Sequence, residues 1–133
     1  MRITIWLILL FSPILAAAQA NPKQHPIDVA LDKCLKSAKA NMPRAECYSS
    51  ASEKWEKAVA DDYRKLLGQL APEMQSYLKT EQEHWEKYRD ANQSFTMAKY
   101  GKRRGTGYIS VRIVLLMEPN KNRALELESR FEN

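Results

Sequence analysis

The sequence predicts an all-α fold: a small helical bundle built on a disulfide-stapled helical hairpin and two long antiparallel helices. Three observations carry this expectation. Cys47, Ala51, Trp55, Val59, Tyr63, Leu66 and Leu70 recur at helical spacing and fall on one stripe. Met74, Tyr77, Leu78, Trp85, Tyr88, Asn92 and Phe95 make a second stripe in the next segment. Only Ile109 to Met117 has the apolar, β-branched composition of a strand, and a lone strand has nothing to pair with, so it too reads as helix.

The chain begins with the pattern of a secretory leader. A basic start at Arg2, an apolar run from Ile3 to Leu15 and the small-residue segment Ala16-Ala17-Ala18-Gln19-Ala20 predict export with cleavage after Ala20. The apolar run is roughly 13 residues where a spanning helix needs about 20, so no membrane span is expected to remain. No cysteine lies at the cleavage point to accept a lipid. Residues 21–133 then form a single domain of 113 residues, periplasmic or secreted, with 20 basic and 16 acidic side chains and a formal net charge of +4. That modest excess favours anionic surfaces, and outside the cytoplasm nucleic acid is not an expected partner.

Asn21 to Pro26 holds two prolines among polar residues and reads as a flexible start. The first helix is expected from Ile27 to Lys39, with Ile27, Leu31, Cys34, Leu35 and Ala38 on one face. Asn41 is the candidate N-cap of the second, and Pro43 is tolerated in its first turn because that amide has no helical partner. The second helix spans about Arg44 to Leu70. Cys34 and Cys47 thus face each other across a helical turn. In an exported chain an intramolecular bridge between them is the leading reading, with free thiols, a redox role or intermolecular pairing as alternatives. Such a bridge contributes about 3 kcal/mol in the chain-entropy model.

Pro72 and Glu73 suit the start of a third helix, which runs to about Ala98 and packs its aromatic face on that of the second. Residues 101–107, Gly-Lys-Arg-Arg-Gly-Thr-Gly, must be a loop, since three glycines oppose a helix and the basic triplet repels itself. A fourth helix follows, broken or kinked at Pro119, and resumes from Asn120 to Arg130 with Leu125, Leu127 and Phe131 as core candidates.

Candidate chemistry is sparse. Glu81, Glu83, Glu86 and Asp90 form a charged helix face, with Glu83 and Lys87 at favourable i, i+4 polarity, and nothing marks an acid poised for catalysis. His25 and His84 form no metal motif, no serine lies in a nucleophile turn, and no cofactor is implied. Arg89 and Asp90 read first as structural: Arg89, beside Trp85 and Tyr88, stacks on a ring or bonds a carboxylate of the second helix, with Glu56 the first candidate. Adjacent helical residues point about 100° apart, so Arg89 and Asp90 need not share a partner. Lys102, Arg103 and Arg104, shouldered by Tyr100 and Tyr108, make a candidate partner-binding loop, against the plainer reading of a solvated turn.

Taken together, Cys34-x12-Cys47, Trp55-Glu56, Tyr63-x2-Leu66 and Gln82-x2-Trp85-x2-Tyr88-Arg89-Asp90-Ala91 resemble the exported family that includes the LprI-type lysozyme inhibitors. The resemblance covers roughly Leu31 to Phe95, with Gly105-Thr106 and Arg123-Ala124-Leu125 compatible with the family's tail. The chain departs from the pattern at Val59-Ala60, where many relatives have Leu-Asn, and at Gln93, near a third cysteine of many relatives. The resemblance implies a helical, non-catalytic protein of the bacterial envelope that binds and blocks a lysozyme or other cell-wall hydrolase. Two alternatives accompany it: a module binding an anionic envelope component, or an immunity protein against a hydrolase toxin. A net charge of +4 gives no long-range attraction to a strongly basic lysozyme, which points to another hydrolase or to a locally acidic contact patch.

Overall fold

The computed structural model describes residues 24–131. The leader at 1–20, its cleavage after Ala20 and the start at Asn21 lie outside the described residues. Among those described there are four helices and no strand: α1 (Pro26–Ser37), α2 (Asn41–Gln69), α3 (Pro72–Tyr100) and α4 (Gly107–Ser129). None of them is long and apolar enough to cross a membrane.

His25 is not part of a flexible start. It caps α1, its Nδ1 accepting the Ile27 amide proton at 3.2 Å, and its ring lies 4.4 Å from that of Trp55. The bridge between Cys34 and Cys47 is formed, with Cα atoms 5.8 Å apart, within the ordinary span of a disulfide. It closes the α1–α2 turn. Ala40, not Asn41, is the N-cap of α2; Asn41 is the first helical residue, and its Nδ2 donates to Thr106 Oγ1 at 3.0 Å. The amide is therefore engaged with the distant 101–106 loop and not with its own helix end.

The stripe on α2 is buried as expected. Ala51, Trp55, Val59 and Leu66 join Leu78 of α3 and Met117, Ala124 and Leu127 of α4 in one core, with Ile27 and Leu31 of α1 packed against it. The expected docking of α2 on α3 is not what forms. The main interface is α2 with α4, and α3 packs on α4. The apolar composition of α4 explains this: Ile113 to Met117, Ala124 and Leu127 can be covered on two sides, whereas α3 offers few apolar positions. Leu78, Gln82 and Thr96 are buried on α3, while Met74, Tyr77, Tyr88 and Phe95 of the expected stripe are exposed. Asn92 does reach α4, its Nδ2 donating to Leu115 O at 3.2 Å.

Pro119 does not divide α4, which runs through it as one element with Pro119 buried. Leu125 is exposed; Leu127 is fully enclosed, and Phe131 lies partly buried beneath the Lys65 ammonium, 4.0 Å from its centroid. Because proline lacks an amide proton and crowds the preceding turn, packing on both sides is what holds the helix continuous here.

A polar clamp joins α3 to α4. Arg123, only 2 % exposed, donates through Nε and Nη2 to Gln82 Oε1 at 3.2 and 3.0 Å, and through Nη1 to Glu81 Oε1 at 2.5 Å and Glu126 Oε2 at 2.9 Å. Arg130 donates to both Glu81 oxygens at 2.8 and 3.0 Å and to Glu126 at 2.6 Å. These guanidinium bonds, the Arg130 ones foremost, hold the Glu81 carboxyl below its usual range of about 4.5, and Glu81 in turn raises Arg130. On the α1 side, Lys121 pairs with Asp28 at 2.9 Å and lies 5.7 Å from the Trp55 ring centroid.

Two outcomes are expected. Leu127→Ala should cost about 2–5 kcal/mol and lower the thermal midpoint, whereas Tyr88→Ala should stay within about 0.5 kcal/mol of the native protein in the same denaturation series. Because the folded Glu81 carboxyl titrates below its unfolded value, its contribution is complete above about pH 4.5 and is lost as the pH falls through the folded value. Glu81→Gln should therefore reduce stability at neutral pH and flatten its decline under acid, a comparison read from thermal unfolding across the acid range.

Candidate functional site

Two surfaces gather the residues singled out in the sequence. The first is the tip joining α3 to α4. Gly101 closes α3 with its amide donating to Met97 O at 2.9 Å, and a side chain there would place its Cβ 2.4 Å from that same carbonyl oxygen. Gly105 holds φ +106°, in the left-handed region that favours glycine. These two positions allow the chain to leave one helix and enter the next within six residues. Arg112 Nη1 donates to Tyr100 O at 3.2 Å and Asn41 ties down Thr106, so the tip is fastened to α4 and α2.

On this tip the Arg103 guanidinium lies 5.9 Å from the Tyr100 ring and 5.5 Å from the Tyr108 ring, with Nη1 3.5 Å from the Tyr108 hydroxyl. Lys99 lies over Phe95 and Tyr100 at 5.6 and 5.2 Å. Lys102 and Arg104 are exposed. Among the described residues no carboxylate forms an ion pair with Lys99, Lys102, Arg103, Arg104 or Arg112. Five cations thus stand at one end of the bundle without an ion pair among the described residues, two of them, Lys99 and Arg103, against aromatic rings. Residues 101–107 are all exposed, as a solvated turn would be, and the tip is tied to the helices through Thr106 and the Tyr100 carbonyl.

The second surface is a groove of about 270 Å³ between α2 and α3, reached also by α4. Glu56 and Tyr63 from α2 meet Gln82, Trp85 and Arg89 from α3 there, beside Arg64, Glu86 and Asn120. Residues of α2 and α3 at least 18 positions apart in sequence are thereby brought to one site. Trp55 does not join them, being fully enclosed in the core, and Tyr88 is 59 % exposed outside the groove. Arg89 stacks on Trp85 at 5.1 Å, as one of the two sequence expectations had it. The other is corrected: Arg89 bonds Asp90 at 2.9 Å and makes no bond to Glu56, and the two neighbours do share each other as partners. With α2 and α3 held apart across the groove, the adjacent carboxylate is within easier reach. Glu83 and Lys87, expected as a pair, form no ion pair.

Arg123 escaped the sequence reading as a site residue, although it sits beside Ala124 and within the buried spacing Met117, Asn120, Ala124, Leu127. A cation on an apolar stripe was the available signal. Arg130, on both oxygens of Glu81, and Arg123, on Oε1, hold that carboxyl low, the opposite of the raised value that suits a general acid. Among the described residues no three His, Cys, Asp or Glu side chains are grouped as metal ligands.

A crystal structure of an uncharacterized protein from Burkholderia thailandensis has the same fold, with a TM-score of 0.71 at 24 % identity. The match covers 80 % of this chain and 53 % of that one, so this chain spans about half the length of that relative. No curated protein matches the chain. The family model described as lysozyme inhibitor LprI matches residues 34–127, from the first cysteine of the bridge to the enclosed Leu127, and the chain belongs to that family.

Proposed function

We propose that residues 21–133, exported by removal of the leader at 1–20 and acting in the periplasm or outside the cell, inhibit a lysozyme-like cell-wall hydrolase by placing the 101–108 tip in its glycan cleft. Membership in an inhibitor family is the observation that carries the reading, and an inhibitor of this kind has no catalysis of its own. The tip supplies the means. Glycoside hydrolases are built around a pair of carboxyl groups flanking the scissile bond, so their clefts offer an anionic counterpart to a basic protrusion. Lys102, Arg103 and Arg104 carry charge that no carboxylate within the described residues pairs with, and the Tyr100 and Tyr108 rings lie 5.9 and 5.5 Å from the Arg103 guanidinium.

The oxidised mature protein, titrated against animal, bacterial and phage lysozymes on labelled cell walls, should inhibit one class stoichiometrically. Arg103→Ala with Arg104→Ala should weaken that inhibition by about tenfold or more, since arginine anchors commonly contribute above about 2 kcal/mol at such contacts. Absence of inhibition of every class at micromolar protein would remove lysozyme-like hydrolases from the account.

A further inference from the structure

α3 is held chiefly by α4, and one face along its length is open to solvent. Met74, Tyr77, Tyr88 and Phe95 stand 50, 64, 59 and 62 % exposed on it. They belong to one series, positions 74, 77, 81, 84, 88, 91, 95 and 98, in which steps of three and four residues alternate along the helix. That alternation is the heptad pattern of a coiled-coil seam. It runs one residue out of phase with the face turned to α4, which carries Leu78, Gln82, Asn92 and Thr96. Val111 and Leu125, the exposed large hydrophobics of α4, extend the same face. At 100° per residue they fall on the side of α4 opposite its α2 contacts Met117, Ala124 and Leu127, next to the α3 seam. Single exposed hydrophobics need no explanation, whereas a contiguous stripe of this kind marks an interaction surface.

We propose that this face pairs with the same face of a second copy of the chain, the two α3 helices running antiparallel about a two-fold axis at the level of residue 86. The spacing permits that occupant. Because the series reads the same from either end, position 74 meets 98, 77 meets 95, 81 meets 91 and 84 meets 88, the reciprocal contact that two-fold symmetry requires. Tyr77 then packs on Phe95 of the copy and His84 on Tyr88, while the longer Met74 and Glu81 face the small Ala98 and Ala91. Glu81 enters the contact already paired with Arg123 and Arg130. Charge selects the direction. α3 starts at the acidic Glu73 and ends at Lys99, running on into Lys102, and none of these three has an ion pair among the described residues. Antiparallel pairing sets each acidic start at the level of the basic end of the other copy, whereas parallel pairing joins like charges at both ends. The exposed rings of two copies, with Met74, Val111 and Leu125, remove roughly 1,000 Å² from water, the lower bound for a specific interface. Lys87 comes near its own copy at the axis, and His84 and Glu81 are polar members of the seam, so the dissociation constant is on the order of 100 µM. At the few micromolar of an optical denaturation series the chain is then monomeric, and Tyr88 adds nothing to stability there. This pairing does not rest on the inhibitory reading.

The test is sedimentation equilibrium of the oxidised mature protein from about 5 to about 500 µM, across which the average mass should rise reversibly from that of the monomer toward twice that value. The Y77Q/Y88Q variant should remain monomeric throughout. Both tyrosines are exposed and glutamine is a good helix former, so this variant should keep the native thermal midpoint at about 5 µM, which excludes unfolding as the cause. Direction is read by NMR on an equal mixture of isotope-labelled native protein and unlabelled Ser76→Cys protein carrying a nitroxide, Ser76 being exposed beside the seam. Line broadening should centre on the labelled amides around Thr96, some 30 Å along the helix from Ser76 at about 1.5 Å per residue. A protein that stays monomeric at every concentration, a dimer that survives in Y77Q/Y88Q, or broadening centred on Ser76 overturns the proposal. A monomer whose Tyr77 and Tyr88 amides shift only when an inhibited hydrolase is added overturns it as well, and gives the face to the hydrolase.

Discussion

The placement of α3 depends on one buried guanidinium. Desolvating a charge as enclosed as Arg123 costs several kcal/mol, and the cost is offset only where hydrogen bonds of good geometry satisfy it. Gln82, Glu81 and Glu126 provide them, and only one register of α3 on α4 brings the first two to Arg123 together. Apolar burial on α3 is too sparse to set that register, for Leu78 is its only hydrophobic residue shielded almost completely from solvent. The core that holds the other helices is centred elsewhere, on Trp55 and Leu127, both fully enclosed between α2 and α4.

This division of labour produces the functional surfaces. Since α4 is the shared neighbour, α2 and α3 do not close on each other, and a groove remains where their motif residues face. Gln82 therefore serves on two sides: its Oε1 is spent on Arg123, and its Nε2 turns to Glu86. The disulfide fastens α1 to the opening turns of α2, and Asn41, within that turn, reaches the tip through Thr106. A staple in one hairpin thereby helps order a loop that lies 65 residues further along the chain. Ordering matters there because five uncompensated cations would otherwise repel one another into a broad ensemble.

The sequence by itself determined the helical class, the positions of the three turns to within a few residues, the buried stripe of α2 and the pairing of the two cysteines as the leading reading. Each rests on local physics: 3.6-residue periodicity, proline and glycine punctuation, and a short loop between two thiols. The family was also legible, since its motif is a set of residue types at fixed spacing. Which helix faces which was decided only by the tertiary structure. An aromatic stripe such as Tyr77, Tyr88 and Phe95 has the period of a core face, yet these rings remain exposed because α4 offers a larger apolar surface to α2 than α3 does. The continuity of α4 through Pro119, the depth of Arg123 and the convergence of Glu56 with Trp85 and Arg89 likewise depend on groups far apart in the chain. Periodicity records that a residue has a face; what covers that face is a competition among all the other elements, and it is resolved only when they pack.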